Sequence, residues 1–158
     1  MKCLLIKNAD VYAPQPLGIV DLLIINGKIA KIGQQLAAPQ GLDCQILDAQ
    51  KRKTVPGYVD QHVHIIGGGG ESGPYSRTPE INLSELTKVG ITTVVGVLGT
   101  DGTSRHNESL LAKARGLTHE GITAYMLTGS YEIPLHNMTG DVRRDIILIN
   151  ECLGIGEV

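Results

Sequence analysis

Val55-Pro56-Gly57-Tyr58-Val59-Asp60-Gln61-His62-Val63-His64 is the stretch on which the fold turns. An apolar, β-branched run over residues 58–66 opens behind a Pro-Gly pair and closes on four consecutive glycines, residues 67–70. The run predicts a strand, and residues two apart on a strand share a face. His62 and His64 therefore project together, and neutral imidazoles so placed can chelate one divalent metal. A bare pair of alternate histidines is more often a surface or core feature. The Pro-Gly-Tyr-Val-Asp lead and the strand context reverse that preference. The pair also stands at the C-terminal end of its strand, where α/β barrels place their active sites.

Upstream, residues 1–55 predict short strands at 3–6, 21–25, 28–32 and 45–47. The middle two flank Asn26-Gly27, a dipeptide that favours a type I′ hairpin turn. This reads as a small antiparallel β unit with too few strands to close on itself. Downstream, strand and helix alternate. Thr78-Pro79-Glu80 predicts a helix start that runs to about Val89 and stops at Gly90. A β-branched strand follows over 91–98. Asn107 is expected to cap a second helix with Leu110, Leu111, Ala114 and Leu117 on one face and Gly121 at its end. A third strand covers 122–128. A third helix opens at Asp141 and closes at Gly154, and residues 155–158 begin a fourth strand.

Three βα units and the start of another predict a parallel α/β sheet or a (β/α)8 barrel. A complete barrel takes roughly 250 residues, and only about 100 follow the β unit in this chain of 158. The expected organisation is therefore the first part of a β-sandwich, residues 1–55, then the first half of a TIM-type barrel, residues 56–158, both belonging to a longer protein.

Composition narrows the function. A hydrophobic fraction of 42% and a charged fraction of 19% are those of a globular chain, and a net charge of −2 gives no electrostatic case for nucleic acid or an anionic membrane as partner. No stretch is long and apolar enough to span a bilayer. Cys3, Cys44 and Cys152 are odd in number, far apart and in no CxxC pattern. They are expected to be reduced thiols of a cytoplasmic protein.

The motif at residues 56–64, Pro-Gly-x-Val-Asp-x-His-x-His behind a small β unit, resembles the first barrel strand of the amidohydrolase superfamily. The continuation narrows the resemblance: Gly67-Gly68-Gly69-Gly70-Glu71-Ser72-Gly73-Pro74, Arg77-Thr78-Pro79-Glu80, Val94-Val95-Gly96-Val97-Leu98-Gly99-Thr100-Asp101 and Leu127-Thr128-Gly129-Ser130-Tyr131 are similar to isoaspartyl (β-aspartyl) dipeptidases. The resemblance implies a metal-dependent hydrolase with two divalent ions, zinc by preference, acting on dipeptides with an N-terminal β-linked aspartate and working as a homo-oligomer when full length. It implies that His62 and His64 are metal ligands. Glu71 pairs with the substrate α-amino group, the Gly69 amide and Thr100 hydroxyl hold its α-carboxylate, and Tyr131 donates to the scissile carbonyl oxygen. The chemistry agrees, since glycine-loop N–H groups suit a carboxylate and a carboxylate suits an ammonium.

The chain departs from the resemblance at one point. Many binuclear amidohydrolases bridge their metals with a carboxylated lysine on the fourth strand, whereas Gly154-Ile155-Gly156-Glu157-Val158 contains none. Glu157 is the bridging candidate, and a lysine beyond residue 158 is the alternative. The remaining ligands and the catalytic aspartate are expected on later strands, so residues 1–158 alone are expected to be inactive. Two other readings stay open: another amidohydrolase, dihydropyrimidinase-like or a deacetylase, and a non-catalytic scaffold of this fold.

Overall fold

The computed structural model describes residues 2–157 and divides into two compact units, Met1–Pro56 and Gly57–Val158. Met1 and Val158, where the expected β unit begins and the expected fourth strand ends, lie outside the described residues.

The first unit holds β1 (Cys3–Tyr12), β2 (Pro16–Ile25), β3 (Lys28–Gly33), β4 (Cys44–Asp48) and β5 (Lys53–Thr54). The sheet order is β3-β2-β1-β4, with β5 also on β1. Asn26 and Gly27 both take positive φ, 50° and 78°, as a type I′ turn demands, and they join β2 to β3. Alternation on β1 and β2 sends Ala9, Val11, Val20 and Leu22 into one apolar cluster.

Two expectations are corrected in this unit. The sheet is mixed rather than antiparallel, because β4 and β5 run parallel to β1. The loop of residues 34–43 is long enough to carry the chain back before it pairs again. That register sets Cys3 directly opposite Cys44 with Cα atoms 4.5 Å apart, and the two are disulfide-bonded rather than reduced. Cys152 is the free thiol among the described residues, and burial pushes its pKa up.

The second unit is a four-stranded parallel sheet in the order β6 (Tyr58–Val63), β7 (Ile91–Gly96), β8 (Thr123–Thr128), β9 (Cys152–Ile155). The connections carry α1 (Leu83–Lys88), α2 (Asn107–Glu120) and α3 (Val142–Leu148). Leu110, Ala114 and Leu117 of α2 pack with Val94, Ala124 and Met126 of the sheet in the main core. Alternate strand residues, among them Val59, Val95, Tyr125 and Leu127, line a concavity of about 390 Å³.

Several expected boundaries move, each for a local reason. Thr78 does not cap α1. Its hydroxyl accepts from the Gly68 N–H at 2.8 Å, and its own N–H donates to the Gly68 carbonyl at 2.9 Å. Asn82 takes the cap position, where its N–H donates to Glu85 at 2.7 Å. His106, not Asn107, caps α2, while Asn107 is buried at the first helical position. There it accepts from the Gly129 N–H at 3.1 Å and donates to the His136 carbonyl at 3.0 Å. Asp141 caps α3 as the sequence indicates, accepting from Arg143 N–H at 2.7 Å, but the helix ends at Leu148. Gly154 therefore lies inside β9 instead of closing α3. The first barrel-type strand also stops earlier, at Val63, so His64 lies just past its end.

Candidate metal centre

His62 is the penultimate residue of β6, His64 follows the strand, and Glu157 follows β9. The structure brings these three together. His62 Nε2 lies 2.9 Å from Glu157 Oε1, and His64 Nε2 lies 3.9 Å from the same oxygen. One ligand atom from each residue falls within 4.8 Å of the others. The imidazole rings stand edge to face, 5.4 Å between centroids at 70°. Register slips between Asp60 and Val63 where β6 pairs with β7, and the strand ends before His64. The two histidines therefore converge through a bulge and a strand end, not through a regular pleat as the alternation argument assumes.

The surroundings of His64 explain two of the glycines. A side chain on Gly68 would place its Cβ 2.9 Å from His64 Cγ, and one on Gly99 would lie 2.7 Å from His64 Cε1. The imidazole is held between two bare backbones, and at Gly99 a φ of 81° excludes most other residues as well. His64 Nδ1 and Glu157 Oε2 are buried with no hydrogen-bond partner. Buried acceptors left unpaired are costly. Two imidazoles and a carboxylate with spare lone pairs suit a divalent cation with borderline nitrogen and oxygen preference. The residues fit a metal.

Beside this cluster lies a second group. The Thr100 hydroxyl donates to Glu71 Oε1 at 2.6 Å. That bond, foremost, with smaller contributions from the Glu71 backbone N–H and the positive field of Arg105, holds the Glu71 carboxyl below its usual range. Glu71 is thus an anion at neutral pH. A Cβ built on Gly69 would lie 3.7 Å from Glu71 Oε2, so the Gly69 backbone and the Glu71 carboxylate share one place. Tyr131 is joined by hydrogen bonds to neither group. It lies in the segment between β8 and α3, 55% exposed.

Two buried charged residues carry no role in the sequence reading: Arg105 braces the glycine loop, and Asp145 ties the end of β8 to α3. Arg105, between β7 and α2, donates to the Gly68 and Gly69 carbonyls, each at 3.1 Å. Asp145 of α3 is fully buried and accepts from the Thr128 hydroxyl at 2.7 Å, the Met138 N–H at 3.0 Å, and the Thr139 N–H and hydroxyl at 2.9 and 2.6 Å. Burial raises its pKa, but the hydrogen bonds outweigh burial and the net shift is downward. Arg105 lies in a polar Ser-Arg-His run, and Asp145 lies in the first turn of α3. Neither carries a sequence signal of burial.

No family model matches the chain. The crystal structure of β-aspartyl dipeptidase from Fervidobacterium islandicum AW-1 in complex with β-Asp-Leu superposes with a TM-score of 0.91 at 42% identity, over 99% of this chain and 40% of that one. A dihydroorotase of Bacillus cytotoxicus is 31% identical over 108 residues, 66% of this chain and 24% of that protein. An imidazolonepropionase of Psychromonas ingrahamii is 27% identical over 117 residues, 72% of this chain and 29% of that protein. The chain thus spans less than half the length of each relative. By sequence and by fold, it belongs to the amidohydrolase superfamily and, over nearly its whole length, is similar to the β-aspartyl dipeptidases.

Proposed function

We propose that this chain is part of a metal-dependent β-aspartyl dipeptidase, which hydrolyses the amide joining the side-chain carboxyl of an N-terminal aspartate to the next residue. The observation that carries the reading is the Glu71–Thr100 pair beside the His62, His64 and Glu157 cluster. An anionic acid next to a hydroxyl suits a substrate head bearing both an ammonium and a carboxylate.

His62, His64 and Glu157 would hold a pair of divalent cations, zinc by preference, with Glu157 as the bridging carboxylate. Bound there, such ions would polarise the scissile carbonyl and make water a better nucleophile. The chain's own residues do the rest. Glu71 takes the α-ammonium. Thr100 has one hydroxyl proton, which it gives to Glu71 in this structure. When the ammonium engages Glu71, the Thr100 hydroxyl is free to turn its hydrogen bond to the substrate α-carboxylate, which the Gly69 amide also holds. Tyr131 donates a hydrogen bond from its phenolic O–H to the carbonyl oxygen as negative charge develops there.

The four parallel strands would form half of an eight-stranded barrel, residues 56–158, behind a β-sandwich part, residues 1–55. Further metal donors would come from later strands, so this chain alone would be inactive and the full-length protein a homo-oligomer. Among the described residues no helix is long and apolar enough to cross a membrane. A cytoplasmic location belongs to the proposal, and there the Cys3–Cys44 pair would meet a reducing environment.

The test is hydrolysis by the full-length protein of β-Asp-Leu, α-Asp-Leu and a cyclic amide of the dihydroorotate type, each with and without a chelator. Cleavage of β-Asp-Leu alone, abolished by chelation, is expected. Preference for the cyclic amide would transfer the protein to the dihydroorotase-like reading. No hydrolysis of any substrate would leave a non-catalytic scaffold.

A further inference from the structure

We infer that Arg105 is a positioning residue that aims the Gly69 amide at the substrate α-carboxylate, a role that rests on the dipeptidase reading. Arg105 is 5% exposed. Nη2 donates to the Gly68 carbonyl and Nη1 to the Gly69 carbonyl, both at 3.1 Å. Nη1 also lies 3.4 Å from Asp101 Oδ2, and Asp101 in turn accepts from the Ser104 N–H at 2.7 Å. The guanidinium is therefore anchored from its own loop while its planar fork grips two successive peptide units of the glycine loop.

In a trans peptide the carbonyl and the following N–H point in opposite directions. Holding the Gly68 carbonyl toward Arg105 turns the Gly69 N–H away from it, and holding the Gly69 carbonyl does the same for the Gly70 N–H. Successive amides set this way make an anion-binding concavity. Glycine peptide planes would otherwise rotate freely. Thr78 gives Gly68 a second hold, through its N–H and hydroxyl. Arg105 thus reaches the substrate only through the loop. Lysine cannot replace it, because an ammonium lacks the flat two-pronged geometry.

The test is calorimetric binding of L-aspartate and of L-aspartate α-amide to the full-length metal-loaded protein. Neither ligand is turned over, and they differ only at the α-carboxyl. Wild type should bind aspartate about tenfold or more tightly than the amide, as for a charge-assisted hydrogen bond. Arg105→Lys should lose most of that preference while its affinity for the amide stays within a few-fold. If Arg105→Lys keeps the full preference, Arg105 is not the positioning residue and the dipeptidase reading stands. A wild type with no preference overturns carboxylate recognition and this role together, and β-Asp-Leu hydrolysis then decides the dipeptidase reading separately. If Arg105→Lys does not fold, Arg105→Gln, which keeps a planar donor but loses the two-pronged grip, makes the same test. Full preference retained in that variant overturns the role.

Discussion

His62 Nε2 lies 2.9 Å from Glu157 Oε1, although His62 lies in β6 and Glu157 follows β9, the strands at opposite edges of the four-stranded sheet. Three inter-strand spacings amount to about 14 Å in a flat sheet. The side chains meet because both lean over the C-terminal end of the sheet, where Glu157 follows β9 with a φ of 49°. That turn buries the carboxylate to 9% side-chain exposure beside two imidazoles. A glutamate pointed at solvent would need neither the unusual backbone nor the burial.

If Glu157 is the bridge, metal-depleted full-length protein should regain two metal equivalents equally well with and without bicarbonate. A lysine carbamate needs dissolved CO₂ to form, and a glutamate does not. Metal analysis after reconstitution under CO₂-free conditions reads the difference. Dependence on bicarbonate would assign the bridge to a lysine outside this chain.

Glu71→Gln should weaken recognition of a free amino terminus. Wild type should discriminate strongly against N-acetylated β-aspartyl substrates, and the variant should do so less. The amide can still accept from Thr100 but offers no charge to an ammonium. Equal discrimination in kcat/KM by both proteins would remove Glu71 from this role.

Tyr131→Phe should lower kcat by about 10²–10³, the usual loss for one oxyanion-type donor. Metal content should be unchanged, since Tyr131 does not touch the metal cluster by any hydrogen bond among the described residues. Its 55% exposure makes a fold defect a poor explanation of such a loss.

Asp145→Asn should destabilise the protein by about 3 kcal/mol at neutral pH, because an amide nitrogen replaces one of two oxygens that accept from four donors. The sign of the pH effect follows from its lowered folded pKa. Asp145 contributes stability above its unfolded value of about 3.8 and loses it as pH falls through the still lower folded value. The difference between wild type and variant in denaturant midpoint should therefore be full at pH 7 and shrink below about pH 4.

The closeness of His62 and His64 was legible because they stand two positions apart at one strand end, although a bulge and the strand end, not a regular pleat, bring them together. Glu157 was legible only as a substitute for a missing lysine, and its approach to His62 depends on how the strands associate. Thr78 misleads because Thr-Pro-Glu has the local signature of a helix start, while its hydroxyl is engaged by Gly68 in the chain's return past the glycine loop. Arg105 was hidden for the same reason. Its burial comes from the glycine loop folding over it, a contact between residues more than thirty positions apart. Cys3 and Cys44, separated by 41 positions, pair through the parallel register of β1 and β4, which no local pattern announces.

The central claim is that His62 and His64 are metal ligands, and metal analysis of His62→Ala and His64→Ala full-length protein tests it directly. Each variant removes a nitrogen donor that its neighbours cannot replace. Bound metal and β-Asp-Leu hydrolysis should fall together in both, with the fold retained by circular dichroism. Full metal occupancy in both variants would contradict the account.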